Sequence, residues 1–348
     1  MTLPRTLAGF ERAAAERLDA GPLGYYAGGA GDEVTLRENV EAWRRIRIAP
    51  RVMVDVSERD SSTTLLGRER PHPLIVAPMA FHRLAHAEGE TATARAAAAT
   101  DTPFCLSTFA TTSPAELASG APDAERWFQL YVFRDRGVTR ELVAMAAANG
   151  FEALIVTVDA PVFGRRERDL ETGFKVDHPV PSVGGREGVT LDELGAMIDS
   201  SMVWADLEQV AGESELPLLV KGVLRPDDAR HAADSGAAGV IVSNHGGRQL
   251  DTVPAGADAL PAIVEELGGD VDVLVDGGVR RGTDVLKALC LGARAVMVGR
   301  PLLWGLASAG EDGARRVLEI LLEELDLSLT LAGCPRAAEL DASMLLPS

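Results

Sequence analysis

Cysteine is scarce in this chain. Three occur in 348 residues, Cys105, Cys290 and Cys334, far apart and in no C-x-x-C pair. So sparse and odd-numbered a set excludes a disulfide framework and a zinc site; it reads as buried thiols in a reducing compartment. Basic residues are also few: 34 Lys and Arg stand against 52 Asp and Glu, a formal net charge of −18. That balance argues against a nucleic-acid partner and against docking on anionic lipid, since both select basic surfaces. A local positive pocket for a small anion stays open. No apolar run approaches the roughly 18 residues that a membrane span needs. Residues 1–21 mix acids with bases and lack the apolar core of a signal peptide. The final Leu-Pro-Ser differs from the peroxisomal S-K-L address. A cytoplasmic location is expected.

What is present is ordinary globular composition, with 46% hydrophobic and 25% charged residues. That excludes disorder and collagen-like repeats, and the length suits two domains or one large α/β barrel. Eight apolar runs of strand length recur, at 74–80, 104–108, 127–132, 153–160, 216–223, 239–244, 273–279 and 295–300. Their Val/Ile/Leu content without alternation predicts strands buried on both faces, as in a parallel sheet. Helical patterns lie between them, several opening on Ser, Thr or Asp and closing on Gly. Strand and helix alternating eight times predicts a TIM (β/α)8 barrel over residues 74–348. A doubly wound open sheet is the alternative, disfavoured by the count and by the lack of G-x-G-x-x-G after the first run. Residues 1–73 form an N-terminal helical arm. Residues 173–200, rich in Pro, Gly and charge, form a long, lid-like loop after the fourth strand.

The runs end in polar groups: Ser107, Gln129, Tyr131, Thr157, Lys221, Ser243, His245, Asp276 and Arg300. In a barrel those ends converge on one mouth, where active sites are built. Nine such residues, a Lys, a His and an Asp among them, are hard to explain as caps alone. The last two turns, DGGVRRG and VGRP, carry Gly277, Gly278 and Gly299 with Arg280 and Arg300. Glycines that let backbone amides approach, plus two guanidinium groups, predict a phosphate site at the usual barrel position; relief of turn strain is the plainer alternative. The string SNHGGRQLD (243–251) delivers His245 into the mouth and Arg248 three residues later. That pairs a base of near-neutral pKa with a cation able to grip a carboxylate. Arg166, past the fourth strand, is a second such cation, whereas Arg165 and Arg168 read as solvated or ion-paired. His72, His82, His86, His178 and His231 read as structural.

The strings YYAGGAGDE, APMAFHRLAHAEGE, FQLYVFRDR, TVDAPVFGRRERD, LVKGV, SNHGGRQLD, DGGVRRGTDV and VGRP resemble the FMN-dependent L-2-hydroxy acid oxidase/dehydrogenase family, from about Tyr25 to Cys334. The resemblance implies FMN as cofactor and a small 2-hydroxy acid and O2 as reactants, giving a 2-keto acid and hydrogen peroxide. It places Tyr25, Tyr131, Arg166, His245 and Arg248 at the substrate, His245 being the base. It places Pro78, Met79, Ala80, Ser107, Gln129, Thr157, Lys221 and Ser243 at the flavin ring. Asp276, Gly278, Arg280, Gly299 and Arg300 fall at the ribityl and phosphate. Phe109 and Phe163 take pocket-wall positions that vary with substrate size, so a mandelate-type acid is the alternative to a lactate- or glycolate-like one. Met79 stands where glycolate oxidases show Thr, and Ala80 resembles the oxidases rather than the dehydrogenases. A homotetramer is expected by resemblance only. A more distant alternative is a non-redox, phosphate-binding barrel with Lys221 as a Schiff-base lysine.

Overall fold

A computed structural model describes residues 2–346. The eight apolar runs become strands β1 (Leu74–Met79), β2 (Phe104–Leu106), β3 (Arg126–Leu130), β4 (Ala153–Thr157), β5 (Leu218–Val223), β6 (Gly239–Val242), β7 (Asp272–Val275) and β8 (Ala295–Val298). Each pairs in parallel with the next and β8 pairs with β1, closing a barrel. Strand side chains alternate between two cores, as a period of two requires. Ile75, Ala77, Cys105, Trp127, Ile155, Leu219, Ile241, Leu274 and Met297 fill the interior. Val76, Phe104, Phe128, Leu154, Val156 and Val220 face the helices. Both faces being apolar is why the runs do not alternate in sequence.

The N-terminal end of the barrel is plugged by a hairpin (Thr63–Leu65, Arg68–Arg70) that the sequence reading did not anticipate. Leu65 joins the interior core, and the Leu66 amide donates to the Asp272 carboxylate at 2.7 Å. The opposite end is braced differently. Buried Glu90, on the helix after β1, accepts from the amides of His82 and Thr111 and from the hydroxyls of Thr111 and Thr112. One carboxylate thus ties the β1 and β2 loops together.

Residues 173–200 are not a featureless loop. Val176 bridges to Val189, Val180 and Val183 are buried, and a short helix spans Leu191–Met197. Thr190 and Glu193 form a capping box at its start, satisfying two of the free amides. The Ser182 hydroxyl donates to the Thr108 carbonyl, anchoring the segment over the barrel mouth. A further helix, Trp204–Glu213, precedes β5. The terminal helix, Arg300–Ala332, starts at the end of β8 and kinks at Ala309 and Gly310. Among the described residues no helix is long and apolar enough to cross a membrane.

The N-terminal arm lies across the mouth. Trp43 Nε1 donates to the Gly277 carbonyl at 2.8 Å, Lys287 Nζ donates to the Trp43 carbonyl at 2.7 Å, and Asn39 and Asn244 exchange amide hydrogen bonds at 2.9 and 2.7 Å. Gly278 has φ 78°, and a Cβ there would sit 1.9 Å from the Asn39 carbonyl oxygen. This glycine is therefore required by the arm, as well as by the turn it was assigned to. Gly278→Ala should cost at least about 2 kcal/mol, from a strained φ and a backbone clash. Urea unfolding of the purified variant checks this, and a midpoint equal to that of the native protein would refute it.

Candidate active site

The C-terminal strand ends enclose a cavity of about 1090 Å³, open mouth included. Every site residue expected from sequence lines it except Ser243. Ser243 sits one layer behind, its Oγ accepting from Lys221 Nζ (2.8 Å) and from the His245 amide (3.0 Å).

The floor is made by Pro78, Met79 and Ala80 at the end of β1. Beside it, Ser107 Oγ donates to Gln129 Oε1 at 3.2 Å, and Gln129 Nε2 donates to Thr157 Oγ1 at 3.0 Å. The Thr108 amide also donates to Gln129 Oε1, which fixes the orientation of the side-chain amide. Lys221 Nζ pairs with Asp276 Oδ2 at 3.0 Å, leaving Asp276 Oδ1 buried without a partner among the described residues. Burial opposes the lysine charge, but Asp276 and Asp159 outweigh it and hold its pKa above the usual value.

On the cavity wall Arg300 donates to the carbonyls of Tyr26 (2.8 Å), Gly28 (2.9 Å) and Gly246 (3.0 Å). The Arg280 guanidinium donates to the neighbouring Val279 carbonyl, at 2.9 Å. No ion pair forms to either among the described residues, and burial depresses both pKa values. Two desolvated guanidinium groups beside Gly278 and Gly299 suit a phosphate.

Tyr25, Tyr131, Arg166, His245 and Arg248 line the same cavity, Arg248 sharing the Gly28 carbonyl with Arg300. Arg248 lies 4.5 Å over the Tyr25 ring and donates to the Tyr25 and Gly28 carbonyls. Arg166 donates to the Arg248 carbonyl at 3.2 Å, with Asp169 3.8 Å away. Burial, reinforced by Arg248, pulls its pKa down to about 10. Two adjoining guanidinium groups of this kind suit a carboxylate. His245 has a left-handed backbone, φ 59°, and Gly246 and Gly247 follow at 65° and 75°. The turn aims the imidazole into the cavity, with Nε2 3.5 Å from the Tyr131 hydroxyl and Nδ1 2.9 Å from Asp159 Oδ1. Phe109 stacks on Tyr131 at 5.2 Å and meets Phe163 edge-on at 6.0 Å, forming an aromatic wall.

Asp159 was missed in the sequence reading. Its signal was there: a carboxylate two residues beyond Thr157 on the same strand end, inside TVDAP. Leu191, which also lines the cavity, was missed because its helix was read as loop. Two of the residues set aside have partners of their own. Arg168 pairs with Glu33 at 2.6 Å, and buried His82 contacts Thr93 at 3.0 Å.

A family model described as FMN-dependent dehydrogenase matches residues 14–347. The chain belongs to the FMN-dependent dehydrogenase family. It is 45% identical to an L-lactate oxidase from Nostoc sp., over 98% of each chain. It is 43% identical to the Homo sapiens 2-hydroxyacid oxidase 1, over 98% of this chain and 97% of that one. A crystal structure of a soluble mutant of the membrane-associated (S)-mandelate dehydrogenase from Pseudomonas putida is 36% identical, with TM-score 0.93 and 99% of both chains covered.

FMN, the cofactor of this family, fits the donors present. The orphaned Asp276 Oδ1 can take a ribityl hydroxyl, Arg280 and Arg300 the phosphate, and the Ser107–Gln129–Thr157 row the polar edge of a flavin. Within this FMN-dependent enzyme, burial holds the His245 pKa below 6.5, and Lys221 and Arg166 reinforce it against the pull of Asp159. A lowered base pKa keeps the imidazole neutral, and thus able to accept a proton, to lower pH. The acid limb of kcat/KM should therefore fall below pH 6.5. Asp159→Asn removes the main group that raises this pKa, so the limb should move further down while kcat drops about 10²-fold or more. A limb that moves up in the variant would contradict this account.

Proposed function

We propose that this protein oxidises a small L-2-hydroxy acid to its 2-keto acid, with O2 as the final electron acceptor and hydrogen peroxide as the second product. One observation carries the reading: His245 Nε2 and the guanidinium groups of Arg166 and Arg248 face the same cavity that holds the FMN donor set. FMN, when bound, supplies a two-electron acceptor. Arg166 and Arg248, with Tyr25, hold the substrate carboxylate and fix the reacting carbon. His245 Nε2 takes the proton, from Cα or from the hydroxyl. Nδ1–H stays on Asp159 Oδ1, which stabilises the imidazolium that forms. Burial pushes the Tyr131 pKa up, so its hydroxyl remains a donor beside His245. Ala80 on the floor and the oxidases among the relatives support O2 as acceptor.

A second reading keeps the chemistry and changes the acid. The wall of Phe109, Phe163 and Tyr131 offers stacking partners to an aryl group, and the mandelate dehydrogenase relative favours it. The Schiff-base alternative loses its basis. Such a lysine needs a lowered pKa, whereas Lys221 is ion-paired to Asp276 and its pKa is raised. The three buried free cysteines support a reducing, cytoplasmic setting. Exposed Val52, Met53, Leu327 and Leu331 offer apolar surface for the self-association that a homotetramer requires.

Anaerobic mixing with lactate, glycolate, 2-hydroxybutyrate and mandelate, followed by air, tests substrate and acceptor together. At least one acid should bleach the flavin absorbance, and air should restore it with stoichiometric peroxide. Bleaching by none of them would sink the proposal. His245→Ala should retain FMN and lose roughly 10²–10⁴ in the rate of bleaching.

A further inference from the structure

Phe163 is the wall residue whose position is least explained by its own strand. It lies beyond β4, edge-on to Phe109 (6.0 Å) and Tyr131 (6.3 Å), with the Arg166 guanidinium 5.4 Å over its ring. The remaining side is closed by the helix Leu191–Met197. Leu191 of that helix lines the cavity, and Gly195, one turn later on the same face, backs the ring. A Cβ at position 195 would lie 3.2 Å from Phe163 Cδ2, 3.5 Å from Cγ and 3.7 Å from Cε2.

Glycine in a helix interior costs roughly 0.5–1 kcal/mol relative to alanine. Gly195 has no compensating left-handed φ, so its backbone does not call for glycine. The aromatic ring does. Phe163 sits as deep as it does because the helix presents bare Cα where any other residue presents a methyl or more.

We infer that Gly195 is a specificity-determining positioning residue: by letting Phe163 recede, it sets the largest side chain that the substrate can carry on Cα. The inference rests on the proposed function only in taking the ligand to be a carboxylate whose α-substituent meets Phe163. A methyl at 195 pushes the ring a few tenths of an ångström toward the cavity, shrinking the space for that substituent while leaving His245 and Arg248 in place.

The test uses the FMN-loaded enzyme and Gly195→Ala, a change that favours the helix and so should fold. A graded series runs from lactate through 2-hydroxybutyrate to the bulkiest acid the native protein accepts. For that bulkiest acid kcat/KM should fall about tenfold, through KM, with lactate within about twofold. In a Phe163→Leu background the same substitution should have no size-dependent effect, because the ring it presses on is gone. In parallel, non-reacting carboxylates (acetate, isobutyrate, phenylacetate) are titrated through perturbation of the flavin spectrum, and the bulky ones should lose affinity in Gly195→Ala. Equal losses for small and bulky ligands, or a loss that persists without Phe163, would overturn the inference. If no hydroxy acid reduces the flavin while the binding selectivity still shifts, the proposed reaction fails and the role of Gly195 stands.

Discussion

The structure is organised around a concentration of positive charge that the rest of the chain does not neutralise. Arg166, Arg248, Arg280 and Arg300 surround one cavity in a protein of net charge −18. Only Arg166 has a carboxylate within ion-pair distance among the described residues, Asp169 at 3.8 Å. Neighbouring backbone carbonyls hold the others, supplying orientation without cancelling the charge. Buried unpaired cations are costly, and the cost is recovered when anions arrive. A phosphate and a carboxylate supply the two anions the arrangement calls for. An acidic surface with a basic interior also keeps polyanions away while admitting a small one.

Within that field, charges of opposite sign are partitioned with care. Asp159 serves His245, and Asp276 serves Lys221. The imidazole is kept neutral by burial while the ammonium is kept charged by its carboxylate. A neutral base and a fixed cation, the lysine and the His245 backbone amide both donating to Ser243, give the site one group that can move a proton and one that cannot.

How much of this was legible in the sequence depended on whether the signal was local. The barrel was readable because a strand buried on both faces writes itself as an unbroken apolar run. The site residues were readable because they sit at the ends of those runs. Asp159 carried only the local signal of a strand-end carboxylate; its contact with His245, 86 residues away in sequence, is what gives that signal meaning. Gly278 was assigned to a turn it does occupy, but the carbonyl of Asn39 crowding it comes from a different part of the chain. The hairpin plug was hidden by strands of three residues each. The helix at 191–197 did carry a local signal, Thr190 with Glu193 three residues on, inside a segment whose Pro and Gly content drew attention elsewhere.

The arm and the barrel build the anion site jointly, and the left-handed turn at 245–247 shows why. Three successive positive φ angles turn the carbonyls of Gly246 and Gly247 outward from β6. The first accepts from Arg300 and the second from the Ala30 amide. Gly247 tolerates no side chain, since a Cβ would lie 2.7 Å from the Leu36 amide nitrogen. Asp251, at the end of the same segment, accepts from the amides of Val34 and Thr35 at the start of an arm helix. Residues 25–33 and 243–251 are therefore two halves of one interlocked structure. Arg300 and Arg248, supplied by the barrel, are oriented by Tyr25, Tyr26 and Gly28, supplied by the arm. A barrel lacking the arm would keep the guanidinium groups and lose the carbonyl cradle that orients them, leaving the charge but not the geometry that gives it selectivity.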